Sequence, residues 1–239
     1  MTHILITSGG TTVPIDPVRK ISNSSSGRFG SSLATAALKA GLDVTYLTSR
    51  LSQSPYTETI DFNQSPDWIT HENRLTQLNL FAEQTRKRYH EYRYQDFSDY
   101  AEQLKKLVTQ QQPQIILLAA AVSDYLVDNY SAAKIRSSDS LTIQLKLAPK
   151  LIHHIREWSP KSFIVGCKLL VNASDAELMA AAKESIAQHD LDLCIANDLA
   201  SIQRGAHEVI LVARDGNSLP VKHDLGATVI AECLKRSGQ

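Results

Sequence analysis

The stretch from Thr7 to Gly30 constrains the fold more than any other part of the chain. The apolar residues Ile4, Leu5 and Ile6 come just before it and predict a buried strand. A loop rich in Gly, Ser, Thr and Pro follows and leads into a helical pattern that begins near Gly27. A strand, a loop of small residues and a helix N-terminus form an arrangement that binds phosphate, because backbone N–H groups and the helix dipole both favour an anion.

This loop differs from the common nucleotide-binding loops, because it contains neither G-x-G-x-x-G directly after the strand nor G-x-x-x-x-G-K-[ST]. Instead it has an insert, Pro14–Arg19, in which two prolines restrict the backbone and predict a stiff turn. Arg19 offers a planar fork of donors for a carboxylate or phosphate, and Asn23 offers both a donor and an acceptor. If these two residues have a structural role and bind no ligand, Arg19 pairs with Asp16 and Asn23 caps the following helix.

The rest of the chain alternates between strand and helix patterns, which is typical of a parallel sheet. The apolar run Ile115–Val122 predicts a strand buried on both faces, and its end delivers Asp124 to the edge where open parallel sheets bind ligands. Ser174 and Glu177 form a capping box that predicts a helix start. Further strands are predicted at residues 44–47, 141–145, 163–170, 193–196, 209–213 and 219–221. Two more are predicted less sharply, one near residues 57–62 and one that ends near residue 94. Further helices are predicted at residues 27–40, 75–88, 97–111, 149–157 and 174–188, and near the C-terminus.

We therefore predict an α/β fold of Rossmann-like type. Its sheet would be mainly parallel and twisted, with helices on both faces and a small β-hairpin or flap extension.

The composition excludes some classes of partner. The 239-residue chain has 25 basic and 25 acidic residues, so it lacks the basic excess expected of a nucleic-acid-binding protein. No apolar run approaches the length of a membrane span, and the N-terminus shows no basic and apolar leader. The three cysteines, Cys167, Cys194 and Cys233, lie in apolar surroundings. We expect them to be buried thiols of a cytoplasmic protein rather than ligands or nucleophiles.

A motif near the N-terminus resembles the signature of the phosphopantothenoylcysteine synthetase family, the phosphopantothenate–cysteine ligases of coenzyme A biosynthesis. It runs T-S-G-G-T…P-I-D-P-V-R-x-I-S-N-x-S-S-G-x-x-G. Many bacterial members have G-P-T where this chain has Gly9, Gly10 and Thr11, a change that keeps the close backbone approach that glycine permits. The chain contains nothing similar to the flavin-dependent decarboxylase domain fused to many bacterial members. The resemblance therefore implies a stand-alone synthetase, with one nucleotide-binding domain over residues 1–239.

The middle of the chain resembles the second half of the same family. The resemblance implies that Ala119, Ala120 and Asp124, in the A-A-V-[AS]-D-[YF] strand end, contact the nucleotide. It places Lys134, of a K-I pair, on a flexible flap over about residues 125–140, where its charge reaches the triphosphate and the reacting carboxylate. Asn197, in an A-N-D strand end, is also implied at the nucleotide.

Residues 166–168 depart from the pattern of many members. Cys167 stands where many have the Phe of a G-F pair, and Lys168 resembles the variant found in eukaryotic members. The resemblance implies that Lys168 contacts the nucleotide, and it leaves both CTP and ATP open as the triphosphate.

The implied reaction joins 4′-phosphopantothenate to L-cysteine through an acyl-nucleotidyl anhydride formed from CTP or ATP. Because the carboxylate and the attacked phosphate are both anionic, cations and N–H dipoles must offset their repulsion. Lys134, Arg19 and a Mg²⁺ held mainly by the triphosphate would supply charge, and Asn23 would hold the reacting oxygen; a metal site built from protein side chains is not expected. The N–H dipoles would come from Gly9, Gly10, Thr11, Ser25, Ser26 and Gly27. The resemblance also implies a homodimer.

Two other classes of function stay open at this point. Tyr130 and Lys134 spell Y-x-x-x-K, the catalytic pair of short-chain dehydrogenases, and Ser123 precedes them. That pair needs a helix to bring Tyr and Lys onto one face, whereas the surrounding residues are irregular. The other alternative is a regulator that binds a nucleotide without turnover.

Overall fold

The computed structural model describes residues 1–57, 67–137 and 140–239. Within them the chain forms an eight-stranded sheet, two separate two-stranded ribbons and seven α-helices. The strands are β1 (His3–Ser8), β2 (Thr12–Pro14), β3 (Lys20–Ser22), β4 (Asp43–Ser49), β5 (Tyr89–Tyr94), β6 (Ile115–Leu118), β7 (Tyr125–Val127), β8 (Leu145–Leu147), β9 (Phe163–Leu170), β10 (Leu193–Asp198), β11 (Val209–Ala213) and β12 (Ser218–Val221). The α-helices are α1 (Arg28–Lys39), α2 (Trp68–Thr85), α3 (Phe97–Gln111), α4 (Ile155–Trp158), α5 (Asp175–His189), α6 (Leu199–Gln203) and α7 (Leu225–Ser237).

The main sheet has the strand order β12-β11-β10-β9-β6-β1-β4-β5. The strands from β10 to β5 pair in parallel, and β11 and β12 add an antiparallel hairpin at one edge. The predictions of a mainly parallel α/β sheet and of a hairpin in this part of the chain are therefore confirmed.

Alternate residues of β1 explain why helices lie on both faces of the sheet. Ile4 and Ile6 point into a core shared with α1 and α7, whereas Leu5 points into a core shared with α3 and α5. Successive side chains of a strand face opposite sides, so a fully apolar strand needs a helical layer on each.

Several helices and strands begin or end at residues other than those predicted. Strand β6 ends at Leu118 rather than at residue 122, because the chain beyond it pairs with the loop that follows β1, as the bridge between Gly10 and Ala121 shows. Helix α2 begins before the predicted residue 75, because the Asp67 carboxylate caps its first turn. The strand predicted near residues 57–62 falls mostly on residues 58–66, outside the described part of the chain.

Two small ribbons lie outside the main sheet. Strands β2 and β3 pair with each other, so the insert Pro14–Arg19 is the turn of an antiparallel hairpin that we did not predict. Strands β7 and β8 also pair, with Tyr125 opposite Leu147, and the irregular part of the predicted flap therefore begins after Val127. The prediction of a strand at residues 141–145 is wrong, because the paired segment is 145–147.

Candidate functional site

The loop after β1 is fixed between two segments that are distant in sequence. The N–H of Ala121 donates to the carbonyl of Gly9 at 2.8 Å, and the N–H of Thr11 donates to the carbonyl of Ala121 at 3.1 Å. On the other side, the N–H of Asn23 donates to the carbonyl of Thr11 at 3.2 Å. The predicted residues of the first loop and of the β6 end thus meet where the parallel strands end, hereafter the carboxyl edge.

Glycine is required in this loop because neighbouring groups leave no space for a side chain. A Cβ on Gly10 would lie 2.3 Å from the backbone oxygen of Asn23. Gly9 has φ of 79°, and a Cβ there would lie 2.3 Å from Oγ of Ser52. The packing of this loop against Asn23 and Ser52 therefore requires residues without a side chain.

We expect Gly10→Ala to disturb the site more than a glycine change elsewhere. The methyl group must push the backbone of Asn23 aside, so the variant should lose nucleotide binding at least tenfold and melt at a lower temperature. Gly216→Ala is the control, because Gly216 also has a positive φ, 86°, but has open space around it. This variant should be destabilised by about 1–2 kcal/mol of backbone strain, and its nucleotide affinity should not change. Nucleotide titration by calorimetry checks both, and equal affinities would contradict the role of Gly10.

Helix α1 presents its N-terminus to the same edge; its N-cap residue has no capping side chain, and the N–H of Arg28 donates to Oγ of Ser26 at 3.4 Å. The N-cap is Gly27, with φ of 76° and no side-chain hydrogen bond, so the alternative in which Asn23 caps this helix is not what the structure shows. A Cβ on Gly30 would lie 2.5 Å from Cβ of Ser8, which shows how tightly the first turn packs on the end of β1. Ser25 and Ser26 lie just before the helix and are exposed. Free N–H groups at a helix N-terminus favour a bound anion.

Side-chain hydroxyls hold the segment after β6 in place. The N–H of Ala120 donates to Oγ1 of Thr7 at 3.2 Å. The N–H of Ser123 donates to Oγ1 of Thr11 at 2.9 Å, and the two hydroxyl oxygens lie 3.0 Å apart. Ala119 and Ala120 are partly exposed on this fixed segment.

Three buried polar atoms near the carboxyl edge have no hydrogen-bond partner among the described residues. One is Oγ1 of Thr48, at the end of β4, and the others are Oδ1 of Asn197, at the end of β10, and Nε2 of His207, just before β11. The His207 ring packs edge-on against Phe29 of α1, with ring centroids 5.0 Å apart, and burial lowers the pKa of His207. An unpaired buried polar atom costs about 1–3 kcal/mol, so a ligand that pairs with any of these atoms would gain stability.

Asp124 and Lys168 are placed less directly at the site. Asp124 is exposed and forms an ion pair with Lys150. Lys168 is partly exposed near the end of β9. Ile164, four residues earlier on β9, packs in the core that α5 covers, so alternation along the strand puts Lys168 on the same face of the sheet.

The Arg19 guanidinium binds two other residues of this chain, Asp16 and Ile135. One guanidinium nitrogen lies 2.8 Å from Oδ2 of Asp16 and also donates to the carbonyl of Ile135 at 3.1 Å. The structural alternative for Arg19, pairing with Asp16, is therefore what the structure shows. Burial alone would raise the pKa of Asp16, but N–H donors from Val18, Arg19 and Ile135 and the Arg19 charge outweigh it and lower that pKa.

Lys134 lies in irregular chain, and its side chain is exposed. Tyr130 is exposed as well, and no helix includes either residue. The Y-x-x-x-K pair therefore lacks the helical face that a short-chain dehydrogenase needs.

The three cysteines have the properties of structural thiols and not of nucleophiles. All three thiols are free, and burial raises the pKa of Cys194 and of Cys233 to about 12, which makes them poor nucleophiles. Cys167 is partly exposed, yet its pKa is also raised by burial.

No group of three or more His, Cys, Asp or Glu side chains in the described ranges could hold a metal ion. None of the helices described is long and apolar enough to cross a membrane.

Sequence reasoning missed three contributions to this edge. Asp16 was considered only as a partner for Arg19, although Asp between prolines is typical of a turn in which the carboxylate accepts backbone N–H groups. The packing of Ser49 and Ser52 against Gly9, and the position of His207, depend on contacts between distant parts of the chain, and no local pattern indicated them.

Comparison with known proteins shows which family the chain resembles. A family model described as the DNA/pantothenate metabolism flavoprotein C-terminal domain matches residues 1–68 and 90–236. The coenzyme A biosynthesis bifunctional protein CoaBC of Thermococcus kodakarensis is 32% identical over 213 residues, which are 89% of this chain and 45% of that protein. The phosphopantothenate–cysteine ligase of Homo sapiens is 30% identical in an alignment that covers 90% of this chain and 77% of that protein.

A solved structure shows the same fold. A Cab2 mutant in complex with phosphopantothenate-cysteine superposes with a TM-score of 0.82 at 24% identity, over 99% of this chain and 86% of that one. The chain spans less than half the length of the archaeal CoaBC proteins that it matches, 45% and 41%. Since the family model covers most of the chain and the human ligase aligns along most of its length, the chain belongs to the family of the DNA/pantothenate metabolism flavoprotein C-terminal domain, which includes the phosphopantothenate–cysteine ligases.

Proposed function

We propose that this protein is a phosphopantothenate–cysteine ligase. It would join the carboxylate of 4′-phosphopantothenate to the amine of L-cysteine and convert a nucleoside triphosphate to the monophosphate and pyrophosphate. The observation that carries the proposal is the meeting of Gly9–Thr11, Asn23 and Ala119–Ala121 beside the N-terminus of α1. The family's ligases, including the human one, support the choice of substrates.

In the first step, a carboxylate oxygen of the acid attacks the α-phosphate, and pyrophosphate leaves. Both reactants are anions, so the site must offset their repulsion without itself reorganising. The backbone N–H groups of Gly9 and Gly10 and of the first turn of α1 would supply fixed dipoles for the phosphates, whereas the N–H of Thr11 already donates to the carbonyl of Ala121. The partly exposed segment at Ala119 and Ala120 would offer a surface against which the nucleotide lies, and the unpaired Asn197 Oδ1 offers it an acceptor.

In the second step, the cysteine amine attacks the acyl carbon, and the nucleoside monophosphate leaves. Asn23 is suited to hold the carbonyl oxygen in both steps, because its amide donates a hydrogen bond without adding charge. Its backbone is fixed by the Thr11 carbonyl, and its side chain is partly exposed at the edge.

Lys134 is proposed as the cation that acts in the reaction. Its exposed side chain would contact the triphosphate and the reacting carboxylate, as the family resemblance implies. Arg19 was predicted as a second cation, but its ion pair with Asp16 offsets part of its charge. We therefore assign Arg19 mainly to holding the segment near Lys134.

The co-substrate is CTP or ATP, and Mg²⁺ would enter with it, held mainly by the triphosphate oxygens, where it offsets phosphate charge. Mg²⁺ in nucleotide sites commonly keeps water and phosphate ligands. We also propose a homodimer. A cytoplasmic location is consistent with three free thiols.

An assay of purified protein with both triphosphates tests the proposal. With 4′-phosphopantothenate, L-cysteine, Mg²⁺ and either CTP or ATP, we expect the amide product and one pyrophosphate per amide formed. Mass spectrometry of the product and a pyrophosphate assay measure the two. Omitting cysteine should leave pyrophosphate release at most stoichiometric with enzyme, because the acyl-nucleotide intermediate would then accumulate.

The same protein preparation separates the two alternatives. A dehydrogenase would be stabilised against heat by NAD(P)H, whereas the ligase would be stabilised by CTP or ATP with Mg²⁺. A regulator would bind the triphosphate and release no pyrophosphate. Absence of amide product with both triphosphates would overturn the ligase assignment.

A further inference from the structure

The segment that carries Lys134 is attached to the turn between β2 and β3 by its backbone. The N–H of Ser131 donates to the carbonyl of Ile15 at 3.1 Å. The N–H of Ile135 donates to Oδ2 of Asp16 at 3.1 Å, and the carbonyl of Ile135 accepts from Arg19 at 3.1 Å. Both backbone groups of the residue that follows Lys134 are therefore held.

Apolar contacts add to this attachment. The Ile135 side chain is partly buried against a small core that contains Val13 and Ile15 of the β2–β3 hairpin and Val127 of β7. Lys134 lies between the attached positions Ser131 and Ile135, and its side chain is exposed, as are those of Ala132 and Ala133. This part of the chain thus combines a held backbone with a free cationic side chain.

The two oxygens of the Asp16 carboxylate have separate tasks. Oδ1 accepts the N–H groups of Val18 and Arg19, at 2.8 and 2.7 Å, and so closes the turn in which Asp16 itself lies. Oδ2 accepts from the Arg19 guanidinium and from the N–H of Ile135. Asp16 is 2% exposed, so water cannot readily replace these partners.

We propose that Asp16 is a positioning residue that fixes Lys134 for the acyl-activation step, acting through the Ile135 backbone. This inference rests on the proposed ligase function. A lysine on a loose loop would lose backbone and side-chain freedom each time it reached the triphosphate, and that loss raises the barrier. Anchoring the next residue removes the backbone part of this cost before the substrate binds.

The substitution Asp16→Asn separates the two tasks. The amide oxygen can keep accepting the N–H groups of Val18 and Arg19, whereas the NH₂ group would face two donors, the Ile135 N–H and the Arg19 guanidinium. The turn should therefore persist while the attachment to Ile135 is lost. The matched control is Asp215→Asn. Asp215 lies in the turn of the β11–β12 hairpin, where its carboxylate accepts a backbone N–H and also pairs with Arg236 of α7.

We expect Asp16→Asn to lower kcat about tenfold or more, with little change in the KM for the triphosphate. Amide hydrogen exchange at Ile135 should accelerate at least tenfold in the absence of any substrate, and it should not change in Asp215→Asn. In a Lys134→Ala background, Asp16→Asn should lower turnover less than twofold further, because the group that it positions is already absent.

The outcomes distinguish this inference from the function on which it rests. If wild-type protein makes no amide product, the ligase assignment fails, whereas the exchange measurement still tests the attachment. If wild-type protein is active and Asp16→Asn leaves Ile135 exchange and kcat unchanged, the positioning role is refuted. A full tenfold loss in the Lys134→Ala background would also refute it, because Asp16 would then act independently of Lys134.

Discussion

Lys134→Ala is expected to lower ligase turnover by at least about 10²-fold while leaving the protein folded. The ammonium group is the cation proposed to offset repulsion between the attacking carboxylate and the triphosphate, and loss of one such group costs about 3–4 kcal/mol of barrier. Because the side chain is exposed and the described structure gives it no packing role, the thermal midpoint should change by less than about 2 °C. Steady-state pyrophosphate release measures the first effect and calorimetry the second.

Lys161→Ala provides the control for this prediction. Lys161 is also exposed, but it lies just before β9, at the opposite end of the parallel strands from the carboxyl edge. It should retain wild-type turnover. Lys134→Arg should recover part of the lost rate, because it keeps the charge but not the shape of the ammonium group. A Lys134→Ala protein with normal turnover would show that this residue is an ordinary surface lysine.

Asn23→Ala is expected to have an effect of similar size, again at least about 10²-fold on turnover. The amide is proposed to donate to the reacting oxygen, whereas the backbone of Asn23 is held by Thr11 and remains so in the variant. The loss should therefore appear in kcat more than in the KM for the triphosphate, since the strongest interaction forms in the transition state.

Two further variants make this prediction specific. Asn79→Ala, on the exposed surface of α2, should behave as wild type. Asn23→Asp keeps the shape but adds negative charge beside two anionic reactants, so it should be at least as slow as Asn23→Ala. Wild-type rates for Asn23→Ala would remove this residue from the proposed mechanism.

Local patterns were sufficient for most of the secondary structure. Helix α3 and strand β9 have the predicted bounds, and the Ser174 capping box begins α5 as expected. These elements are specified by periodicity and by caps, which act within a few residues. The prediction for β6 extended too far, because the small residues after Leu118 pair with a loop rather than with a strand, and an apolar run does not distinguish the two.

The candidate site could be predicted only in part. The residues of the N-terminal motif and of the β6 end were predicted and do lie together, because parallel strands place their carboxyl ends at one edge. Arg19 was predicted to face a substrate, yet the structure pairs it with Asp16 and Ile135. A charge pattern alone does not show which partner a guanidinium meets.

The sequence by itself determined the strand, the glycine loop and the helix that follow one another near the N-terminus, since each depends on residue types that are adjacent in the chain. The tertiary structure alone decided that Asp16 meets the backbone of Ile135, 119 positions away. Only packing of the β2–β3 hairpin against the segment after β7 brings these residues together, and no spacing in the sequence encodes a contact of that range.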